Sequence, residues 1–496
     1  MAHHGVYPRD IVPPVSNYYD SGRFGRMFGK LPPFSADTPE VRAALLEIGK
    51  AGGIMDARDK LSEGPVNLIA DLTLSAKNSD NPHLTAGMTF LGQFIDHDMT
   101  FDPTSSLERQ ADPEQIANFR TPSLGLDNVY GSGPGGSPHL YDQGPSGKGA
   151  KFLLEPTGTA DRFDVPRNSQ NVALIGDPRN DENLIVSQLQ VALLKFHNAV
   201  VDYVVTKLKL TGSGEIFAEA QRIVRWHYQW IVVHEFLRKT CGDAVVEDVL
   251  ANGRKFYKWR NEPFIPVEFS VAAYRFGHSQ VRPSYRANFT GNPGGTPFFG
   301  MIFTPTPSDP GDPDDLSGGC RAARRFVDWP TFFDFGDGQV RPNKKIDTTL
   351  STPLFHLPGS VVANPSPKTN PASLAQRNLL RHLTFSLPSG QRVAAAMNLP
   401  VLTKADLSDL RKHGLDDRTP LWFYILREAS VTAGGERLGP VGGRIVAEVF
   451  IGLLQGDRGS YLSQDPDWQP TLPTIDPSRQ GDDFRMVDLL RYAGVA

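Results

Sequence analysis

Apolar residues recur every three or four positions along two long stretches of the chain, the spacing of one face of an α-helix. The first stretch begins at Asp177, the expected N-cap, with Pro178 as the first helical residue, and its apolar face is Ile185, Leu189, Ala192, Phe196 and Ala199. The second runs from Ile216 to Leu237 and ends near Gly242. Shorter helices are predicted around 85–99, 268–281, 373–383, 404–413 and 440–456.

Residues 287–372 form a stretch rich in proline and glycine that also contains Phe298, Phe299, Phe303, Trp329, Phe332 and Phe333. A solvated linker would rarely contain so many aromatic residues. We therefore interpret this stretch as long loops packed on a core. The predicted fold is mainly α, a single large helical domain with long Pro/Gly-rich loops and little β-structure.

Composition excludes several classes of protein. The 496 residues include 51 Lys and Arg against 55 Asp and Glu, a net charge of −4, which gives no electrostatic case for nucleic acid or acidic membranes as partners. Two cysteines, Cys241 and Cys320, exclude a disulfide scaffold. No segment approaches 18 uninterrupted apolar residues, and the opening residues lack the apolar centre of a secretory signal. No membrane span and a cytoplasmic location are therefore expected, with leaderless export left open.

The segment TFLGQFIDHDMTFDP, at positions 89–103, contains the first candidate chemistry. On a helix Gln93 and His97 share one face, and Asp96 and Asp98 lie about 100° to either side of His97. One turn thus presents a histidine and an amide to one site, while the two carboxylates are directed elsewhere. From these residues alone, a polar helix with one hydrogen-bonded histidine remains an alternative.

Further motifs favour a functional site at His97 over an ordinary polar helix. GQFIDHD is followed in order by TPSLGLDNVYG (121–131), GDPRNDEN (176–183), YRFGHS (274–279) and RNLLRHLTFSLPSGQ (377–391). This series resembles the animal-type haem peroxidases, the superfamily that includes myeloperoxidase and the cyclooxygenases, and is most similar to their bacterial branch. The resemblance spreads from about residue 82 to 456. It implies a haem peroxidase domain at 81–496, with residues 1–80 as an N-terminal extension packed on the same core.

On the distal side of the haem, the resemblance implies that His97 is the general base for hydrogen peroxide. Gln93 corresponds to the amide that organises water or halide above the iron, and Arg179 to the distal arginine. Cleavage of an O–O bond needs a base to move a proton and a fixed positive charge for the developing anion. His97 and Arg179 are suited to these two tasks.

On the proximal side, the resemblance assigns His278 as the axial ligand of the haem iron and Asn378 as its hydrogen-bond partner. A carbonyl oxygen of Asn378 would accept the proton of the second ring nitrogen and so fix the tautomer. Arg275 corresponds to a residue that pairs with a haem propionate, and Arg381 to a second propionate contact.

Two carboxylates occupy positions that form ester bonds to haem methyl groups in the mammalian relatives. These are Asp96, directly before the distal histidine, and Glu182, three residues after the distal arginine. The resemblance therefore implies haem b ester-linked through both. Asn183 stands where one relative has a methionine, so no sulfonium link is expected. Ordinary helix-surface carboxylates are the alternative.

The resemblance also implies a calcium site formed by Asp98, Thr121, Ser123, Gly125 and Asp127. Calcium favours six to eight oxygen ligands, including carboxylates and loop carbonyls. Gly125 departs from the family pattern because the mammalian members have an aspartate there, and the acid appears two residues later as Asp127. Gly125 would contribute only its carbonyl oxygen.

The expected function is therefore oxidation of halides, pseudohalides or small organic electron donors by hydrogen peroxide through an oxoferryl intermediate. The first alternative is a haem-dependent fatty-acid dioxygenase or cyclooxygenase, whose radical tyrosine lies three residues before the proximal histidine. Arg275 holds that position here, and Tyr274 is expected to point about 100° away. The second alternative is a non-catalytic haem-binding protein. The oligomeric state and the physiological reductant stay open.

Three other features are interpreted as structural. His227 and His234 lie seven apart on one helical face, but no third ligand is close in sequence, so core histidines are expected. His197 is likewise expected to have no catalytic role. The glycine-rich GGERLGPVGG at 434–443 lacks the GK[ST] of a phosphate-binding loop and is interpreted as a helix entry.

Overall fold

Helices supply most of the regular structure, as the sequence predicts. The computed structural model describes residues 24–101, 110–113, 116, 118–144, 149–157, 161–259, 262–291, 295–304, 309–359, 361–479 and 483–496, which include all the candidate site residues. Its α-helices, in chain order, are α1 (Pro39–Ile48), α2 (Gly64–Ala70), α3 (Ala86–Met99), α4 (Asp127–Tyr130), α5 (Gly133–Gly136), α6 (Leu184–Thr206), α7 (Ser213–Ile231), α8 (Arg238–Cys241), α9 (Asp243–Asn252), α10 (Leu374–Thr384), α11 (Gly390–Ala396), α12 (Leu421–Ala433), α13 (Pro440–Gly456), α14 (Tyr461–Gln464) and α15 (Met486–Tyr492).

The β-structure consists of short pairs. The strands are β1 (Phe24–Gly25), β2 (Asp80–Thr85), β3 (Glu155–Pro156), β4 (Phe163–Asp164), β5 (Ile265–Pro266), β6 (Ser284–Arg286), β7 (Phe299–Met301) and β8 (Pro342–Lys344). β1 pairs with β5 in parallel, with Phe24 opposite Ile265. The pairs β2–β8, β3–β4 and β6–β7 are antiparallel. None of these two-stranded sheets forms a core layer, in agreement with the mainly α prediction.

The predicted helix beginning at Asp177 is interrupted, which corrects the sequence analysis. Asp177 caps only a 3₁₀ turn, Pro178–Asp181, through a hydrogen bond from the Arg179 amide to its side chain. The chain then starts again at α6, where the Asn183 side chain accepts from the Val186 amide. Asn and Asp compete for backbone donors in this way at helix starts, so each one begins its own element. The break places the arginine motif beside α6 and not within it.

The second long helix follows its predicted course, from α7 through a π-helical segment at Val232–Leu237 to α8, and ends at Gly242 with φ +89°. The predicted helix at 268–281 is a π-helical turn, Glu268–Ala272, followed by a 3₁₀ helix, Ala273–Gln280. The predicted helix at 404–413 is wrong in type, because only a 3₁₀ segment forms at Ser408–His413.

One hydrophobic core contains residues from nearly every part of the described chain, which supports the single-domain prediction. α6 packs on α3 and α7, and α12 packs on α13. Trp329, Phe332 and Phe333 from the Pro/Gly-rich stretch are buried in that core. From the predicted N-terminal extension, Phe34 and Leu45 are buried in it as well. The boundary at residue 80 stays a prediction.

The helix α6 is apolar as well as long. Among the described residues it is the one helix that meets the length and composition of a membrane span, and 83% of its most apolar window is buried inside the fold. Here it serves as a central core helix.

Candidate functional site

One cavity of about 370 Å³ unites the candidate residues from four separate parts of the chain. This volume lies in the range of small-molecule and cofactor sites. Its polar lining includes all nine residues predicted for haem and peroxide: Gln93, Asp96, His97, Arg179, Glu182, Arg275, His278, Asn378 and Arg381. Phe90, Phe236, Val271 and Leu354 are among the apolar residues that complete the walls.

His97 projects from the last turn of α3 and is 4% exposed. Its Nδ1 lies 2.8 Å from Oδ1 of Asn180, and the Asn180 amide nitrogen donates to Oε1 of Gln190 at 2.8 Å. Because Oδ1 can only accept, Nδ1 carries the proton and Nε2 has the free lone pair. Burial, together with the charge of Arg179, lowers the pKa of His97 to about 4. The ring is therefore neutral at pH 7 and able to accept a proton.

Arg179 is fixed by acceptors on two sides. Its Nε and Nη2 donate to the two carboxylate oxygens of Asp177, at 3.1 and 2.8 Å. Nη2 also donates to the carbonyl oxygens of His97, at 3.1 Å, and of Thr100, at the C-terminal end of α3. Arg120 donates to the same carboxylate through Nε at 3.0 Å. Burial alone would raise the pKa of Asp177, but these two arginines lower it to about 2.

The amide of Gln93 lies one turn before His97 on α3 and is also held. Oε1 of Gln93 accepts a hydrogen bond of 3.2 Å from the Nδ2 of Asn183. The same Asn183 caps α6 through its Oδ1, so its orientation is determined by the helix start. Gln93 is thus oriented with its amide nitrogen available to the cavity.

The two carboxylates predicted to bond to haem both line the cavity but differ in their surroundings. Oδ2 of Asp96 lies 3.7 Å from Nη1 of Arg275, and its Oδ1 accepts from the Thr100 hydroxyl at 3.2 Å. Glu182 is exposed, and it lines the cavity. Because protein atoms surround it, desolvation raises the pKa of Glu182 to about 7 in spite of the nearby Arg179.

His278, which also lines the cavity, lies in the 3₁₀ helix that follows the π-helical turn. Residues three apart eclipse one another in a 3₁₀ helix, so Arg275 and His278 share one face. Burial, with the charges of Arg275 and Arg381, lowers the pKa of His278 to about 3. The ring is neutral at pH 7, as an iron ligand must be.

Asn378 lies beside His278 as predicted, but the polarity of the contact is reversed. Its Nδ2, and not its carbonyl oxygen, is 2.6 Å from Nδ1 of His278. In this orientation the amide donates to Nδ1, which would leave the proton on Nε2. The two ends of an amide have equal size, so a rotation of 180° gives the predicted carbonyl contact. One turn later on α10, His382 bonds to the backbone carbonyl of Asn378 through Nδ1 and accepts from the Trp422 backbone amide through Nε2.

The tyrosine next to Arg275 requires a correction. Tyr274 was expected to point away from the site, but it lines the cavity. A 3₁₀ helix turns about 120° per residue, so Tyr274 still lies off the face shared by Arg275 and His278, and it lines the cavity because the cavity also reaches Gly92 and Phe236. Its hydroxyl donates to the Gly92 carbonyl on α3 at 3.0 Å, and its ring stacks on Phe269 with centroids 4.8 Å apart.

The predicted calcium residues cluster on the other side of α3. Asp98 is 1% exposed; its Oδ2 accepts from the Leu126 amide at 3.0 Å, and its Oδ1 is buried with no hydrogen-bond partner among the described residues. Burial and the charge of Asp127 raise the pKa of Asp98 to about 7. A buried, unpartnered carboxylate oxygen beside a second carboxylate is suited to a cation.

The carbonyl oxygen of Gly125, the predicted calcium ligand, is engaged by an arginine. It accepts a hydrogen bond of 2.7 Å from Nε of Arg225, so it already faces a positive charge that would repel a metal ion. A Cβ at position 125 would lie 3.1 Å from the Ser123 hydroxyl, 3.2 Å from Oδ1 of Asp127 and 3.5 Å from Nη2 of Arg225. The serine and aspartate oxygens are thus close together, and we leave Gly125 out of the ligand set.

The residues interpreted as structural are satisfied within the core. His227 bonds to the Ile223 carbonyl through Nδ1 and accepts from the Thr471 and Leu472 amides through Nε2. His234 stacks on Trp230 at 3.6 Å.

Across the part of the chain that the structure describes, no group of three or more His, Cys, Asp or Glu side chains is placed to hold a metal ion. A calcium site would therefore depend on hydroxyl and carbonyl oxygens besides its two carboxylates.

Haem suits this set of residues. The cavity combines an apolar wall, one neutral histidine as an axial donor and two arginines able to pair with carboxylate groups at its margin.

Sequence reasoning missed Asn180, Asp177, Arg120 and Asn183 as supporting residues. Three of these lie inside GDPRNDEN itself, so the motif contained a signal, whereas Arg120 is 57 residues from Asp177.

Comparisons with known proteins agree with this geometry. The sequence profile of the animal haem peroxidase family matches residues 108–316, which include Arg179 and His278. The chain is 27% identical over 223 residues to the human "Probable oxidoreductase PXDNL", a match that covers 41% of this chain and 15% of that protein. The chain therefore spans a minor part of the length of this relative.

Solved structures show the same fold over most of the chain. Peroxidase A from Dictyostelium discoideum superimposes with a TM-score of 0.61 at 16% identity, covering 95% of this chain and 93% of that one. The fatty acid alpha-dioxygenase of Oryza sativa gives a TM-score of 0.59 at 14% identity, covering 89% of this chain and 76% of that one. At these identities the likeness concerns the fold alone.

Proposed function

We propose that the chain, whose residues 108–316 match the animal haem peroxidase family, is a haem-dependent peroxidase that uses hydrogen peroxide to oxidise halides, pseudohalides or small organic donors. One observation carries the proposal: a neutral His97 with a fixed Arg179, and a neutral His278 from a different part of the chain, line the same cavity. A haem-binding protein without turnover would need neither member of the His97–Arg179 pair.

In this proposal His278 would ligate the haem iron, and Arg275 and Arg381 would pair with the propionates. Haem, when bound, supplies the iron centre at which peroxide is reduced. His97 takes the proton from the near oxygen of peroxide on Nε2 and returns it to the oxygen that leaves as water. Arg179 holds a positive charge beside the negative charge that develops during cleavage, and Gln93 orients water or an anion.

The proposal is tested by the absorption spectrum of protein expressed with a haem precursor, recorded before and after a small excess of hydrogen peroxide. We expect a ferric Soret band that shifts on peroxide addition and recovers when an electron donor is supplied. A protein that stays free of haem under these conditions contradicts the cofactor assignment. A Soret band that peroxide leaves unchanged contradicts the reaction class.

The dioxygenase alternative is favoured by one observation, the position of Tyr274 on the cavity wall. Against it, the tyrosine hydroxyl is engaged by the Gly92 carbonyl, and Arg275 holds the position expected for a radical tyrosine. Haem-dependent oxygen uptake with an unsaturated fatty acid, lost in Tyr274→Phe, would establish this alternative. We expect no such uptake.

We further propose that haem b is ester-linked through Asp96 and Glu182. Both carboxylates line the cavity, and Glu182 makes no ion pair there among the described residues. After incubation with peroxide, extraction in acidified organic solvent should leave haem on the wild-type polypeptide. Asp96→Asn and Glu182→Gln should each remove one of the two ester bonds, and all haem should be extracted from the double variant. Asp243→Asn, at an exposed carboxylate outside the cavity lining, is the control and should retain haem; complete extraction from the wild type rejects the links.

We also propose calcium between Asp98 and Asp127, with oxygens of Thr121 and Ser123 as additional ligands. The support is the unpartnered Oδ1 of Asp98 and its proximity to a second carboxylate. Exhaustive chelation should lower the thermal unfolding midpoint, and re-addition of calcium should restore it. Asp127→Asn should lower the midpoint and abolish its response to chelation. If chelation removes no calcium and leaves the midpoint unchanged, Arg225 is sufficient as the local positive charge.

A further inference from the structure

The carboxylate of Asp177 is shared between two arginines, only one of which lines the cavity. Its side chain is fully buried, and it accepts from Arg179 through Nε and Nη2 and from Arg120 through Nε and Nη2. Nη2 of Arg120 also donates to the Gly176 carbonyl oxygen at 2.9 Å. The two guanidinium groups lie over the same Phe101 ring, with distances of 4.7 Å for Arg179 and 5.7 Å for Arg120. All three charges are therefore fixed in a partly desolvated position.

This arrangement determines the net charge of the cluster formed by Asp177, Arg179 and Arg120. A buried Asp177–Arg179 pair alone would be neutral overall, so the carboxylate would cancel much of the field that the arginine directs at an anion. With Arg120 included, two positive charges and one negative charge leave a net charge of +1. Arg120 itself is absent from the cavity lining, so it acts through Asp177 and not by contact.

We propose that Arg120 is a positioning residue that, by sharing Asp177, keeps the positive charge of Arg179 available to anions in the cavity. The anions concerned are halide or pseudohalide donors and the negative charge that develops on the departing oxygen of peroxide. The inference rests on the proposed function, because it assigns Arg179 to the distal side of bound haem.

The experiment compares variants of the haem-loaded protein that change the local charge in opposite directions. Arg120→Gln lowers the net charge by one, Arg120→Lys keeps it, and Asp177→Asn raises it by one. Thiocyanate, an anion, and nitric oxide, a neutral ligand, are titrated at one fixed pH and followed through the Soret band. Arg238→Gln, a surface arginine paired with Asp243 and Glu247, is the matched control.

We expect Arg120→Gln to raise the thiocyanate Kd on the order of tenfold, because a unit charge is lost in a site of reduced dielectric constant. Arg120→Lys should stay within about twofold of the wild type. Asp177→Asn should not weaken thiocyanate binding, and the double variant Arg120→Gln/Asp177→Asn should return it toward the wild-type value. Nitric oxide binding should change little throughout.

A purely structural role gives a different pattern. If Arg120→Gln and Asp177→Asn weaken both ligands alike, and the double variant is worse than either, the proposal is wrong. Equal thiocyanate affinity for Arg120→Gln and Arg120→Lys also overturns it, even if Asp177→Asn does not fold. Failure of the wild type to bind haem would instead contradict the proposed function, so the two failures are distinguishable.

Discussion

Replacing His97 with glutamine should lower the second-order rate constant for the reaction with hydrogen peroxide by about 10²- to 10⁴-fold, the usual contribution of a positioned general base. Glutamine preserves a hydrogen-bonding side chain of similar length but cannot take and return the proton. Haem content should stay unchanged, because the proposed iron ligand is His278 and not His97. Stopped-flow absorption of the Soret band measures the rate constant directly.

The pH profile of the same reaction gives an independent check. Because burial and the charge of Arg179 lower the pKa of His97 to about 4, the base is neutral above that pH and the rate should fall only as the pH drops through about 4. Arg179→Gln removes a charge that disfavours the protonated ring, so it should move this acid limb to higher pH besides lowering the rate. His227→Gln, a substitution of a buried core histidine, is the matched control and should leave the folded protein's profile unchanged. An unaltered rate in His97→Gln would remove His97 from the mechanism.

The local motifs predicted which residues approach one another, because each motif lies on one short element. His97 and Gln93 follow from helical spacing on α3, and Arg275 and His278 from a spacing of three. The type of the second element was not predictable in this way. Regular helical spacing does not predict the π-helical turn and 3₁₀ helix at 268–280, nor a cavity wide enough to include Tyr274, which lies off the Arg275–His278 face.

Support from distant parts of the chain could not be read from sequence. Arg120 and Asp177 meet across 57 residues, and Arg225 meets Gly125 across 100. Neither arginine belongs to a recognisable pattern, since a lone arginine in a sequence usually lies on the surface. The departure at Gly125 did indicate that this loop differs, and Nη2 of Arg225 lies 3.5 Å from where a Cβ at this position would be.

The largest loss of cofactor is expected from His278→Ala. Without the axial nitrogen, haem would be held by the cavity wall and its margin alone, so the purified variant should contain little of it, and added imidazole should restore part of the Soret band by entering the space that the ring leaves. His227→Ala should retain haem at a lower thermal unfolding midpoint, because that histidine bonds only to backbone groups.

Variants of Asn378 test whether His278 ligates the haem iron or only fills space beside the haem. Asn378→Asp places a carboxylate beside Nδ1 that can only accept, so the proton is drawn to Nδ1, the ring becomes a more basic iron ligand and the reduction potential of the iron should fall. Asn378→Leu removes the acceptor and should weaken haem retention by about 10- to 100-fold, the usual effect of losing such a partner. If both variants retain haem with unchanged potential, the amide does not control the proximal histidine, and the donating orientation seen here, with the proton on Nε2, would argue against His278 as the ligand.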